Sequence, residues 1–104
     1  MSEGSRPKKV VVLGSTGSIG ESSLKVARDL PGRMTLVGLA ANSSVDSLAG
    51  QINEFGIKQG CLCDPTGLDK LKSVVPSDVT LHTGEEGLIE LATLPEADLV
   101  LIAI

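Results

Sequence analysis

The sequence predicts a doubly wound α/β fold, a single parallel sheet of five strands with helices on both faces. Three observations predict it. Short apolar runs alternate with segments of helical period along the 104 residues. The runs are continuous and rich in β-branched residues, as strands covered on both faces require. Gly14, Gly17 and Gly20 recur at three-residue intervals just after the first run, where a strand must turn into a helix.

Val10 to Leu13 is the first strand, expected at the centre of the sheet, and Met1 to Lys9 reads as a solvated, flexible lead-in without a signal-peptide core. After the glycine turn, Ile19, Ser23, Val26, Ala27 and Leu30 fall at helical spacing, and Pro31-Gly32 ends that helix. Met34 to Ala41 is the second strand. Asn42-Ser43-Ser44 forms a polar loop suited to cap the next helix, whose inner face is Val45, Leu48, Ile52 and Phe55. Gly56 breaks that helix and Gln59 to Cys63 is a third strand. Asp64-Pro65 supplies an N-cap with proline at the first helical position, before a helix lined by Leu68, Leu71 and Val75. Asp78 to His82 is a more polar strand, Val79 and Leu81 pointing in and Thr80 and His82 out, which belongs at a sheet edge. Thr83-Gly-Glu-Glu86 resembles a capping box, and Leu88, Leu91, Ala92 and Leu94 give the next helix its buried stripe. Leu99 to Ile104 is the last strand. Right-handed crossovers then give a Rossmann-like sheet of order 4-3-2-1-5, formed by residues 10–104, with its ligand over the carboxyl ends of the strands.

Composition excludes several functions. The net charge of -4 and the single aromatic residue, Phe55, speak against nucleic acid or an anionic membrane as partner. No apolar run approaches the roughly 18–20 residues of a membrane span. Cys61 and Cys63 are read as buried thiols, since a disulfide between residues two apart on one strand would be badly strained. Reduced thiols fit a cytoplasmic setting. With His82 the only histidine, the chain has too few ligands for a Cys/His metal site. Asp64, Glu85 and Glu86 are explained as helix caps and solvated faces, so no catalytic residue is assigned.

The glycine turn is the chemical signal. Its first glycine allows a tight turn, the second lets a pyrophosphate approach the backbone, and the third lets helix pack closely on strand. The helix N-terminus adds free amides and a partial positive charge. In NAD-binding versions of this fold a carboxylate after the second strand holds the ribose 2′-hydroxyl. No acid occurs from Met34 to Val45, and neutral Asn42, Ser43 and Ser44 favour NADP, although no Arg or Lys stands there to neutralise a 2′-phosphate.

The run Val-Val-Leu-Gly-Ser-Thr-Gly-Ser-Ile-Gly at 11–20, Leu-Ala-Ala before the second loop, Gly-Glu-Glu-Gly-Leu at 84–88 and Ala-Asp-Leu-Val-Leu-Ile-Ala-Ile at 97–104 together resemble the start of the 1-deoxy-D-xylulose 5-phosphate reductoisomerase family. The resemblance covers the domain from Lys8 onward. It implies an NADPH-dependent enzyme of non-mevalonate isoprenoid synthesis that rearranges a keto-sugar phosphate and reduces it to 2-C-methyl-D-erythritol 4-phosphate. It further implies Mg or Mn on the substrate and a homodimer when full length. The family's cofactor contacts fall on Thr16, Gly17, Ser18 and Ile19, all matching. The next group falls on Asn42, Ser43 and Ser44, where the family's usual glycine, basic or small polar residue, and asparagine are not in their places. With the flanking Gly14, Ser15, Gly20 and Ala41, these form the expected cofactor site. The family's metal ligands, substrate-phosphate site, lid and dimer surface lie beyond the matched region, so this chain alone is expected to bind cofactor and catalyse nothing. Two other readings share the topology: the start of an aspartate-semialdehyde dehydrogenase or dihydrodipicolinate reductase, and a nucleotide-binding regulatory module without chemistry.

Overall fold

The computed structural model describes residues 6–104. The chain runs β1 (Lys8–Leu13), α1 (Ser18–Asp29), β2 (Met34–Ala41), α2 (Val45–Phe55), β3 (Gln59–Leu62), a 3-10 turn (Pro65–Gly67), α3 (Leu68–Val74), β4 (Thr80–Thr83), α4 (Gly84–Ala92) and β5 (Leu99–Ile102). The strand pairings are all parallel, in the expected order β4-β3-β2-β1-β5. β1 has a neighbour on each side, but the middle place belongs to β2. The lead-in is shorter than expected, because Lys8 and Lys9 already pair with Met34 and Thr35. Its first five residues lie outside the described residues.

The sheet divides the core in two. On one face Val10 and Val12 of β1 pack with Leu24 of α1, Leu48 and Ile52 of α2, and Leu71 of α3. On the other, Val11 and Leu13 pack with Ala40, Cys61 and Leu91 beneath α4. β1 is thus apolar along its length because both of its faces are covered, each buried Val or Leu contributing about 1.5–3 kcal/mol.

α1 turns a different face inward from the one its apolar spacing suggests. Gly20, Leu24 and Ala27 are buried, whereas Ile19, Val26 and Leu30 are 65%, 43% and 52% exposed. The reason is Gly20: a Cβ there would lie 2.1 Å from the Gly14 carbonyl oxygen and 2.7 Å from Ser15 Cα. This backbone approach rotates the helix by about a quarter turn from the expected register.

The other helices follow expectation with local corrections. Leu48, Ala49 and Ile52 line α2, and Gly56 ends it in the left-handed region at φ +64°. Asp64 accepts from the Thr66 amide at 3.0 Å, and the Thr66 side chain together with that amide holds its carboxyl below the usual carboxylate range. The capping box at Thr83 does not form, because Gly84 follows at φ +70° and the Thr83 side chain caps nothing. Ala92 is exposed rather than buried. Gly87 takes the inner position of α4, where a Cβ would meet Cys61 Sγ at 2.7 Å. His82 is half-buried beneath α4 rather than pointing to solvent, and its Nε2 is 2.9 Å from Gln59 Oε1.

Two consequences are measurable. Gly20→Ala forces overpacking against backbone that cannot yield, at a cost of about 3 kcal/mol. Thermal unfolding should show a markedly lower midpoint, while Gly17→Ala, whose Cβ would meet nothing closer than 3.8 Å, should melt like the parent. The second concerns β5, an apolar edge strand with Leu99 and Ile102 52% and 70% exposed. Unpaired backbone beside exposed apolar side chains is a template for strand pairing. The 104-residue polypeptide should therefore self-associate with rising concentration, as sedimentation velocity would show.

Candidate cofactor site

The carboxyl ends of four neighbouring strands are tied into one rim. The Gly14 and Ser15 amides both donate to the Ala40 carbonyl, at 2.8 and 2.9 Å. Cys63 N–H donates to Ala41 O at 2.9 Å, Asp64 N–H to Asn42 O at 2.8 Å, and Ala103 N–H to Leu13 O at 2.7 Å. The turn between β1 and α1 is thereby held against the ends of β2 and β5. A groove of about 350 Å³ opens on this rim, lined by Gly14, Thr16, Gly17, Ala40, Ala41, Asn42, Cys63, Leu88, Ala103 and Ile104.

Each glycine of the turn has a distinct physical reason. Gly14 has φ +93°, and a Cβ there would also meet the Ala103 carbonyl oxygen at 2.9 Å. Gly17 is extended, at φ −83° and ψ 175°, and its open side faces no other atom of the fold closely. Gly20 is the contact that seats α1. The first helical bond of α1 runs from Glu21 N–H to Gly17 O at 2.8 Å, so the amides of Ser18, Ile19 and Gly20 have no acceptor within the helix. They head a helix of 12 residues, whose dipole favours an anion at that end.

The second loop is polar and neutral. Asn42, Ser43 and Ser44 are all exposed at the end of β2. Ser44 occupies the N-cap of α2, but at ψ 80° its hydroxyl makes no capping bond, contrary to the sequence expectation. The first acid of α2, Asp46, is paired with Lys70 Nζ at 3.1 Å.

Of the expected residues, the fold gathers Gly14, Thr16, Gly17, Ala41 and Asn42 around the groove. Ser18, Ile19 and Gly20 form the adjoining first turn of α1, and Ser43 and Ser44 lie beyond Asn42. Ser15 does not face the groove: it is fully buried behind the turn, its hydroxyl donating to Gln51 Oε1 at 2.7 Å. Sequence reasoning missed Ala40, Cys63, Leu88, Ala103 and Ile104. Cys63 and Ala103 stand just past the carboxyl ends of β3 and β5, where the strand-end rule would have found them. Leu88 comes from α4 and carries no local signal.

The cysteines part company. Cys61 is fully buried, and burial, with the neighbouring Cys63 adding to it, pushes its thiol up to about 12. Cys63 is half-buried and lines the groove, correcting the expectation of two buried thiols. Among the described residues no group of three or more His, Cys, Asp or Glu could hold a metal ion. No helix among them is long and apolar enough to cross a membrane.

A parallel doubly wound sheet, a three-glycine turn heading a helix, and a groove over the strand ends define a dinucleotide-binding domain. Residues 10–104 match the family model of 1-deoxy-D-xylulose 5-phosphate reductoisomerase. The chain belongs to that family. The reductoisomerase of Thermodesulfovibrio yellowstonii is 45% identical over 97 residues, covering 93% of this chain and 25% of the relative. That of Nitratidesulfovibrio vulgaris is 40% identical over 99 residues, with 93% and 24% covered. Among solved structures, the Zymomonas mobilis enzyme in complex with NADPH superposes with a TM-score of 0.83 at 32% identity, covering 91% of this chain and 25% of that one. A reductoisomerase in complex with NADPH, fosmidomycin and magnesium gives 0.87 at 35% identity, with 93% and 24% covered. The chain spans about a quarter of the length of the curated relatives it matches.

The different settings of the two thiols predict selective chemistry. Iodoacetamide at mildly alkaline pH should label Cys63 in the native chain and leave Cys61 untouched until denaturant is added. Mass spectrometry of the labelled peptides gives the answer, and equal native labelling would contradict the burial of Cys61.

Proposed function

We propose that this chain is the NADPH-binding domain of a 1-deoxy-D-xylulose 5-phosphate reductoisomerase, an enzyme that rearranges the keto-sugar phosphate and reduces it to 2-C-methyl-D-erythritol 4-phosphate. The observation that carries the reading is the open flank of Gly17 beside three helix-head amides, Gly17 being the one glycine of the three that the fold itself leaves uncrowded. The pyrophosphate belongs there, over Thr16 to Ile19, since the expected Ser15 is buried behind the turn. Thr16, Gly17, Ser18 and Ile19 are its contacts, while Gly14 and Gly20 shape the turn. The groove lined by Ala41, Asn42 and Cys63 takes the adenosine end, and neutral Asn42, Ser43 and Ser44 receive the 2′-phosphate without the repulsion an acid would cause.

When bound, NADPH supplies the hydride for the reduction. The residues of this chain bind and orient it. The Mg or Mn of the reaction takes its ligands outside the described residues, which offer no donor cluster. The homodimeric state implied by the family and the cytoplasmic setting read from the thiols belong to the same proposal.

Three measurements bear on it. Gly17→Val fills the open flank and should abolish NADPH binding by calorimetry while leaving the circular dichroism spectrum unchanged. NADPH should outbind NADH, and Ser43→Asp should narrow or reverse that preference. NADPH should also protect Cys63 from alkylation, because that thiol lines the same groove. A folded Gly17→Val variant with parental affinity would place the cofactor elsewhere.

A further inference from the structure

Behind the glycine turn, α2 reaches back with one side chain. Gln51 Oε1 accepts from the Ser15 hydroxyl at 2.7 Å, and Gln51 Nε2 donates to the Ser15 carbonyl at 3.0 Å. Ser15 is fully buried, the one polar residue so placed among the described residues, and its partner lies 36 residues away. We propose that Gln51 is a positioning residue for the dinucleotide: it fixes the peptide between Ser15 and Thr16, and with it the donors of the pyrophosphate turn.

The physical argument rests on the planarity of the peptide. In a trans peptide the carbonyl of one residue and the amide N–H of the next point in opposite directions. Holding the Ser15 carbonyl on Gln51 therefore aims the Thr16 N–H away from Gln51, and Thr16 lines the groove. The Ser15 amide is already committed to Ala40 O at 2.9 Å, so the peptides on both sides of Ser15 are pinned, one by β2 and one by α2. A buried carbonyl and hydroxyl that lost Gln51 would stand unpaired, and the turn would reorient to satisfy them. Gln51 lies in α2, the helix that follows the N-cap Ser44, and its side chain reaches only the pyrophosphate turn.

This inference rests on the cofactor reading above and extends it to a residue outside the groove. The test uses the protein as its gene encodes it. Parent, Gln51→Met and Ser15→Ala are titrated with NADPH, with NADH and with adenosine 2′-monophosphate, which has no pyrophosphate. Gln51→Met should raise the Kd of NADPH and NADH by about the same factor, tenfold or more, so their ratio is kept. Adenosine 2′-monophosphate should bind within about twofold of the parent, a selectivity that a general loss of structure would not give. Ser15→Ala keeps the bond to the carbonyl and should weaken NADPH by about threefold. Parental NADPH affinity in Gln51→Met, or equal weakening of all three ligands, overturns the role of Gln51 while leaving the cofactor reading intact. Should Gln51→Met fail to fold, parental affinity in Ser15→Ala overturns it instead. A parent that binds no NADPH overturns both.

Discussion

The Gly14 carbonyl oxygen occupies the space that a Cβ at position 20 would need, 2.1 Å from where that atom would stand. Only glycine satisfies this approach, and much of the domain follows from it. Seated on the turn at Gly20, α1 buries Leu24 and Ala27 against β1 and leaves Ile19, Val26 and Leu30 outside. The same contact brings the first amides of the helix over the end of β1, beside the open flank of Gly17. Packing and ligand chemistry are thus two results of one steric constraint.

The site is built from backbone more than from side chains. Its polar groups are the helix-head amides and the hydroxyls and amide of a neutral loop, on a chain of net charge -4. An anion at the head of α1 would be held by local dipoles, and both acids of α2 are paired, Asp46 with Lys70 and Glu54 with Arg28. The Arg28 bond holds the Glu54 carboxyl below the usual carboxylate range. Such exposed pairs add little to stability.

The rim is a collective product of the parallel sheet. Strand ends that are distant in sequence meet because parallel pairing places every carboxyl end on one side, where the Ala40, Ala41 and Leu13 carbonyls accept amides from the next segments. Cys63 and Ala103 enter the groove by this route, and Leu88 reaches it from α4. Gln51 is its counterpart behind the turn, satisfying a buried serine that would otherwise be a liability in an apolar core.

By itself the sequence determined the alternation of strands and helices, the parallel order, the glycine turn and the neutral loop after β2. These follow from periodicity, turn chemistry and crossover handedness, which act over a few residues or constrain whole topologies. The exact span of β2 and the inner face of α2 were legible for the same reason. Only the tertiary structure decided the rotation of α1, the failure of the Thr83 and Ser44 hydroxyls to cap, the separate fates of Cys61 and Cys63, and the bond from Gln51 to Ser15. Apolar spacing along α1 offers two adjacent faces of similar character, and a backbone approach from another element chooses between them. A hydrogen bond across 36 residues has no local pattern at all, because it exists only once the sheet has brought α2 behind the turn.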